Sequence, residues 1–117
     1  MKTLLILNGP PYGDERCYNA LRLAQALSKN GTEGEVKVFL MADAVAAAKA
    51  GQKTPEGYYN VERMLARVIS GRGRVLLCGT CMTARGLEDA EIIPGAVRST
   101  MDELAEATLV ADKVLVF

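Results

Sequence analysis

The stretch Met1-Lys-Thr-Leu-Leu-Ile-Leu-Asn8, followed by Gly9-Pro-Pro-Tyr-Gly13, decides how the rest of the chain is read. Leu4 to Leu7 are continuously apolar rather than alternating, the pattern of a strand buried on both faces, as strands of a parallel sheet are. The glycines and prolines then break the run as a loop. Asp14 reads as an N-cap, and Cys17, Leu21, Ala24 and Leu27 recur at helical spacing until Gly31 stops the run. Strand, loop and amphipathic helix make the first part of a βαβ unit.

The alternation continues outward from this unit. Val36 to Met41 read as a second buried strand, with Asp43 behind it as N-cap of an Ala-rich stretch ending at Gly51. After a loop from Gln52 to Gly57, Val61, Met64, Leu65 and Val68 mark a helix closed by Gly71 or Gly73, and Val75 to Leu77 a third strand. A short helical turn follows Cys78, and Ala96 to Arg98 form a minor strand. Met101, Leu104, Ala105, Thr108 and Leu109 share one face of a last helix, to which Thr100 and Glu103 offer a capping box. Val114 to Phe117 form the final strand. This order predicts an α/β fold with a parallel sheet and helices on both faces. Ligands of such sheets lie at the carboxyl edge, where the loops Asn8 to Gly13, Ala42-Asp43 and Cys78 to Cys81 are expected to converge. Strand order is not readable from the pattern, and no internal repeat is present.

The 117 residues fit a single domain, residues 1 to 117. A chain of this size buries roughly two-thirds of its unfolded surface, so oligomerisation would add useful stability. Half of the residues are apolar and the formal charge is zero, with both signs interspersed. No nucleic-acid or anionic-membrane partner is therefore expected. Four consecutive apolar residues near the N-terminus fall short of the roughly seven to fifteen of a secretory h-region, and no run approaches the roughly twenty of a membrane span. The expectation is a cytoplasmic protein. Three cysteines, an odd number, point to reduced thiols rather than a disulfide framework.

Chemistry concentrates in Cys78-Gly-Thr-Cys-Met-Thr-Ala-Arg85. Cys78 ends a strand and Cys81 opens a helical turn, so unpaired backbone N–H groups and the helix dipole would favour thiolate, and Arg85 would add a fixed positive charge. Gly79 allows close backbone approach in a tight strand-to-helix turn, and Thr80 lies between the thiols as a substrate contact. An activated thiolate there would attack sulfur or carbon, store a persulfide or exchange disulfides. The competing reading makes each cysteine a small buried hydrophobe. Zinc is disfavoured, because the chain has no histidine and only one further cysteine, Cys17, on the apolar face of its helix. No metal and no cofactor are expected, and the Gly9 to Gly13 loop matches no nucleotide-binding motif. Without histidine, proton transfer falls to Asp43, a tyrosine, water or a partner. Asp43 reads first as an N-cap, with orientation of Arg85 or a substrate as the alternative. Tyr12 either covers the site or packs. Tyr58, Tyr59 and the methionines at 41, 64, 82 and 101 read as core or subunit contacts.

With these residues assembled, the chain resembles the YchN-like branch of the DsrE/DsrF-like family. The resemblance spans Asn8-Gly-Pro-Pro-Tyr-Gly13, Asn19-Ala-Leu-Arg-Leu-Ala24, Phe39-Leu-Met-Ala-Asp-Ala-Val45, Gly51-Gln-Lys53, Leu77-Cys-Gly-Thr-Cys81, Arg85-Gly86 and Ala111-Asp-Lys-Val114. It implies a three-layer α/β/α fold with a mainly parallel five-stranded sheet, assembled into trimers or hexamers with sites near subunit boundaries. Sulfur-relay members of the family carry an active cysteine at a strand end, followed by a helix ending in Arg-Gly, which corresponds here to Cys78. The resemblance thus implies a persulfide carrier, sulfurtransferase-like, served by sulfur donor and acceptor proteins. Cys81 has no counterpart in those relays and is either a resolving thiol or the mark of a different activity. The alternative function is a non-enzymatic oligomeric module binding a small ligand or metal.

Overall fold

Runs of apolar residues at five places along the chain become the five strands of one sheet. The computed structural model describes residues 1–30 and 35–117. The central strand pair is β1 (Lys2–Leu7) and β2 (Glu35–Leu40), with Leu4, Leu5, Leu7, Val38, Phe39 and Leu40 buried. β3 (Arg74–Cys78) adds to β2, β4 (Val97–Ser99) to β3, and β5 (Lys113–Val116) to the free side of β1. Every pairing is parallel, and the order is β4-β3-β2-β1-β5.

This order fixes where the helices go. The steps from β1 to β2, β3 and β4 all run the same way across the sheet. Right-handed crossovers therefore put α1 (Arg16–Asn30), a 3-10 helix (Ala42–Ala48), α2 (Val61–Ser70) and α3 (Gly79–Ala84) on one face. The return from β4 to β5 runs the opposite way and puts α4 (Met101–Val110) on the other face. The result is the expected three-layer α/β/α arrangement.

Local signals explain the helix ends. The Asn60 side chain caps α2 by accepting from the Arg63 N–H, and Gly71 closes it with its N–H on the Arg67 carbonyl. The Asp14 carboxylate accepts the first helical N–H of α1, from Arg16. The stop expected at Gly31 lies outside the described residues.

Three expectations are corrected. Asp43 is not an N-cap: Met41 holds that position without a side-chain bond, Ala42 turns the chain with a φ of +49°, and Asp43 lies inside the first 3-10 turn. The capping box of α4 is half formed. Thr100 Oγ1 accepts from the Glu103 N–H, but the Glu103 carboxylate accepts from the Ser99 hydroxyl instead of reaching back to Thr100. The apolar face read for α4 is also wrong, since only Leu104 and Ala107 are buried while Met101, Ala105, Thr108 and Leu109 are exposed. Beneath α4 the sheet carries Lys37 and Arg74 beside Leu76, and these line an open cleft with Glu103, Glu106 and Ala107 of the helix. No helix among the described residues is long and apolar enough to cross a membrane.

Candidate functional site

Adjacent parallel strands whose following connections leave to opposite faces open a crevice at their carboxyl ends. Here that pair is β3 and β4, because α3 and α4 lie on opposite sides of the sheet. The crevice is a groove of about 800 Å³ lined by Met41, Cys78 to Cys81, Thr83 and Arg98 to Met101. Both cysteines of the Cys78-Gly-Thr-Cys81 segment line it, as do Gly79 and Thr80.

Cys78 is the last residue of β3 and the N-cap of α3. Its Sγ accepts from the Cys81 N–H at 3.4 Å, which places the second thiol one helical turn away. Cys78 is 8% exposed, whereas Cys81 is only partly buried, and both are free thiols. Burial pushes the Cys78 thiol up from its ordinary value, and the hydrogen bond with the Cys81 thiol pushes the same way. The Cys81 and Thr80 backbone N–H groups pull it down without reversing the direction. At Cys78 desolvation thus opposes the expected bias toward thiolate and outweighs what a six-residue helix offers.

The cation in the groove is Arg98, not Arg85. Arg98 Nη1 donates to the Gly79 carbonyl at 2.9 Å and to Thr83 Oγ1 at 3.3 Å, while its Nε donates to Asp89 at 2.7 Å. Gly79 makes this approach feasible. A Cβ there would stand 3.0 Å from Arg98 Nη1 and 3.1 Å from the Ser99 carbonyl oxygen. No carboxylate lines the groove. The sequence offered no motif for Arg98, which stands in a three-residue strand between Val97 and Ser99.

The remaining site residues of the sequence reading sit elsewhere. Arg85 Nε donates to Asp43 at 3.0 Å and its Nη1 to the Cys81 carbonyl at 3.1 Å, so the pair fastens the end of α3 to the 3-10 helix. The alternative reading of Asp43, as the residue that orients Arg85, is therefore the one realised. Tyr12 does not line the groove. Its hydroxyl donates to Gln52 Oε1 at 2.6 Å and accepts from the Val61 N–H at 3.0 Å, tying the loop after β1 to the start of α2. All four tyrosines gather at that corner: Tyr59 stacks on Tyr18 at 4.1 Å and on Tyr58 at 4.6 Å, with Tyr12 beside them. Cys17 is fully buried, donates to the Gly9 carbonyl, and burial pushes its thiol up to about 11. Among the described residues no cluster of three or more His, Cys, Asp or Glu is arranged to hold a metal ion.

Known proteins share this architecture and much of the sequence. The chain is 44% identical to protein YchN of Escherichia coli K12, covering 99% of this chain and 98% of YchN. The crystal structure of the E. coli ychN protein superposes with a TM-score of 0.95, over 100% of this chain and 99% of that one. The protein of unknown function MTH1491 from Methanobacterium thermoautotrophicum has a TM-score of 0.80 at 10% identity, covering 99% and 98%, a likeness of fold alone. Sulfurtransferase TusD of Salmonella typhi is 28% identical over the full length of both chains. The DsrE/DsrF-like family matches residues 1–117. With the five-stranded parallel sheet and the whole-length match in agreement, this chain belongs to the DsrE/DsrF-like family.

Proposed function

We propose that this protein carries sulfane sulfur in the cytoplasm, as a sulfurtransferase-like persulfide carrier with Cys78 as the loading thiol and Cys81 as the resolving thiol. The observation that carries the reading is the pairing of two free thiols, one turn apart, in the crevice where β3 and β4 diverge. The full-length similarity to a sulfurtransferase supports the choice of sulfur as cargo.

In the loading step the Cys78 thiolate attacks the outer sulfur of a donor persulfide. The donor S–S bond breaks, its electron pair leaves with the donor thiolate, and the outer sulfur, keeping its proton, stays on Cys78 as a persulfide. An acceptor protein's thiolate then takes the outer sulfur. In the alternative release step, Cys81 attacks Cys78 Sγ, hydrosulfide leaves and a Cys78–Cys81 disulfide forms. That oxidation of two thiols balances reduction of the sulfane sulfur to sulfide, and an external dithiol must reset the pair. Cys78 must lose its proton first, and with no histidine or carboxylate lining the groove the acceptor is water or the arriving anion. Arg85 acts as a positioning residue through the Cys81 carbonyl.

The working form in this reading is a homo-oligomer, a trimer or hexamer. Its support is the exposure of Val97, Met101, Leu109, Val110, Val114 and Val116, all on β4, α4 and β5. Intact-protein mass spectrometry after incubation with a persulfide donor tests the central claim. A dithiothreitol-reversible gain of one sulfur should vanish in Cys78→Ser, accumulate in Cys81→Ser and persist in Cys17→Ser. Undiminished loading of Cys78→Ser would sink the reading. Loss of small-molecule or metal binding on Cys→Ser exchange, without any persulfide, would point to the binding-module alternative.

A further inference from the structure

The groove combines two kinds of chemistry. Its floor and walls are sulfur-rich and apolar, with the thiols of Cys78 and Cys81 and the thioethers of Met41 and Met101. Its charge is a single guanidinium, Arg98, and no acidic side chain lines it. Asp89 forms an ion pair with Arg98 through Nε at 2.7 Å, offsetting part of its charge from outside the groove lining. Nη1 is fixed on α3, and Nη2 has no hydrogen-bond partner among the described residues. The surrounding hydroxyls have protons to give. Thr83 Oγ1 accepts from Arg98, and Thr100 Oγ1 accepts from the Glu103 N–H, leaving each O–H proton without an acceptor among the described residues. Guanidinium forks and hydroxyl donors match trigonal oxygen arrays better than they match a bare thiolate.

We propose that the groove selects sulfane-sulfur donors whose leaving group is a sulfur oxyanion, the thiosulfate and thiosulfonate class, and that Arg98 reads that charge. The inference rests on the persulfide-carrier reading and narrows its substrate. In the reaction the Cys78 thiolate attacks the outer sulfur of thiosulfate. The S–S bond breaks, its electron pair leaves with sulfite, and Cys78 holds the perthiolate, so three negative charges enter and three remain. Charge builds on the departing oxygens, where Arg98 Nη2 and the threonine hydroxyls can meet it. The absence of a side chain at residue 79 leaves room for this approach, since a Cβ there would crowd Arg98 Nη1 at 3.0 Å.

The test compares two donors at Cys78, thiosulfate and the uncharged dimethyl trisulfide, each adduct located by peptide mass mapping. Wild type should load from thiosulfate. In Arg98→Met the thiosulfate-to-trisulfide rate ratio should fall by at least about tenfold, the size of a lost charge-assisted hydrogen bond. An unchanged ratio in that variant overturns the proposal. So does a wild type that reacts at Cys78 with the trisulfide but not with thiosulfate, an outcome that leaves the carrier reading standing. Reaction of Cys78 with neither donor removes the carrier reading and this inference with it. Should Arg98→Met fail to fold, Arg98→Lys takes its place: it keeps the charge and loses the fork, and the ratio should fall about threefold. An unchanged ratio there counts against Arg98 equally.

Discussion

The two faces of the sheet are finished to different degrees. On the α1–α2 face, Leu21, Ala24, Val61, Leu65 and Val68 pack onto strands whose side chains are almost wholly buried. On the other face α4 contributes only Leu104 and Ala107, and β4 and β5 leave most of their residues open. Met1 and Tyr58 aside, every large apolar side chain left exposed among the described residues belongs to β4, α4 or β5. The chain alone thus completes one side of its core, and the thiol groove lies at the border with the incomplete one, where Met101 belongs both to the groove lining and to the exposed set.

Substitutions on the two sides should therefore behave differently. Leu65→Ala, on the closed face, is expected to cost about 2–5 kcal/mol in urea unfolding, the range for a fully buried leucine. A cost under about 1 kcal/mol would mean that this face is packed less tightly than its burial indicates.

Cys17 sharpens the same point through pH. Its folded value is raised from 9.0 to about 11, so the buried neutral thiol contributes fully below pH 9, and the contribution is lost as pH rises from about 9 through about 11. The loss over that window should approach about 2–3 kcal/mol. Cys17→Ala should flatten the decline; equal slopes for variant and wild type would remove Cys17 as its source.

Two helix caps offer a matched pair. Asn60, buried and bonded also to the Gln52 carbonyl, should cost toward about 2 kcal/mol on change to Ala, against about 0.5–1 for the exposed Thr100. Equal costs would erase the distinction between the faces at the level of capping. Smallest of all in the stability of the dissociated monomer, Leu109→Glu should alter its unfolding by less than about 0.5 kcal/mol. It should nonetheless lower the oligomeric state seen by sedimentation. A wild type that sediments as a monomer would refute the assignment of this side as a subunit contact.

How much of this was legible depended on whether the signal was local. The apolar run Leu4 to Leu7, the spacing of Val61 to Val68 and the strand-end position of Cys78 are local patterns, and each became the element expected. The groove was not local. It exists because β4 follows β3 at one edge while the chain returns to β5 at the other, an order that periodicity does not encode. Arg98 was missed for that reason, and Arg85 drew attention as the cation of the helical turn after Cys81, although it lines a separate depression with Val45, Lys49 and Glu91 rather than the thiol groove. The face of α4 was misread because spacing shows that apolar residues lie on one side without showing what covers them. Asp43 was misassigned because the turn begins one residue earlier, at Ala42.

The gathering of the four tyrosines has an optical consequence. The chain contains no tryptophan, so its near-ultraviolet absorption and emission come almost entirely from one corner, where Tyr12, Tyr18, Tyr58 and Tyr59 meet beside α1 and α2. The Tyr58 hydroxyl raises the Tyr59 phenol to about 12, which delays its phenolate band on alkaline titration. Fluorescence of this protein is therefore a probe of the closed face. No tyrosine lines the thiol groove, so events there will change that fluorescence only where they are transmitted to this corner.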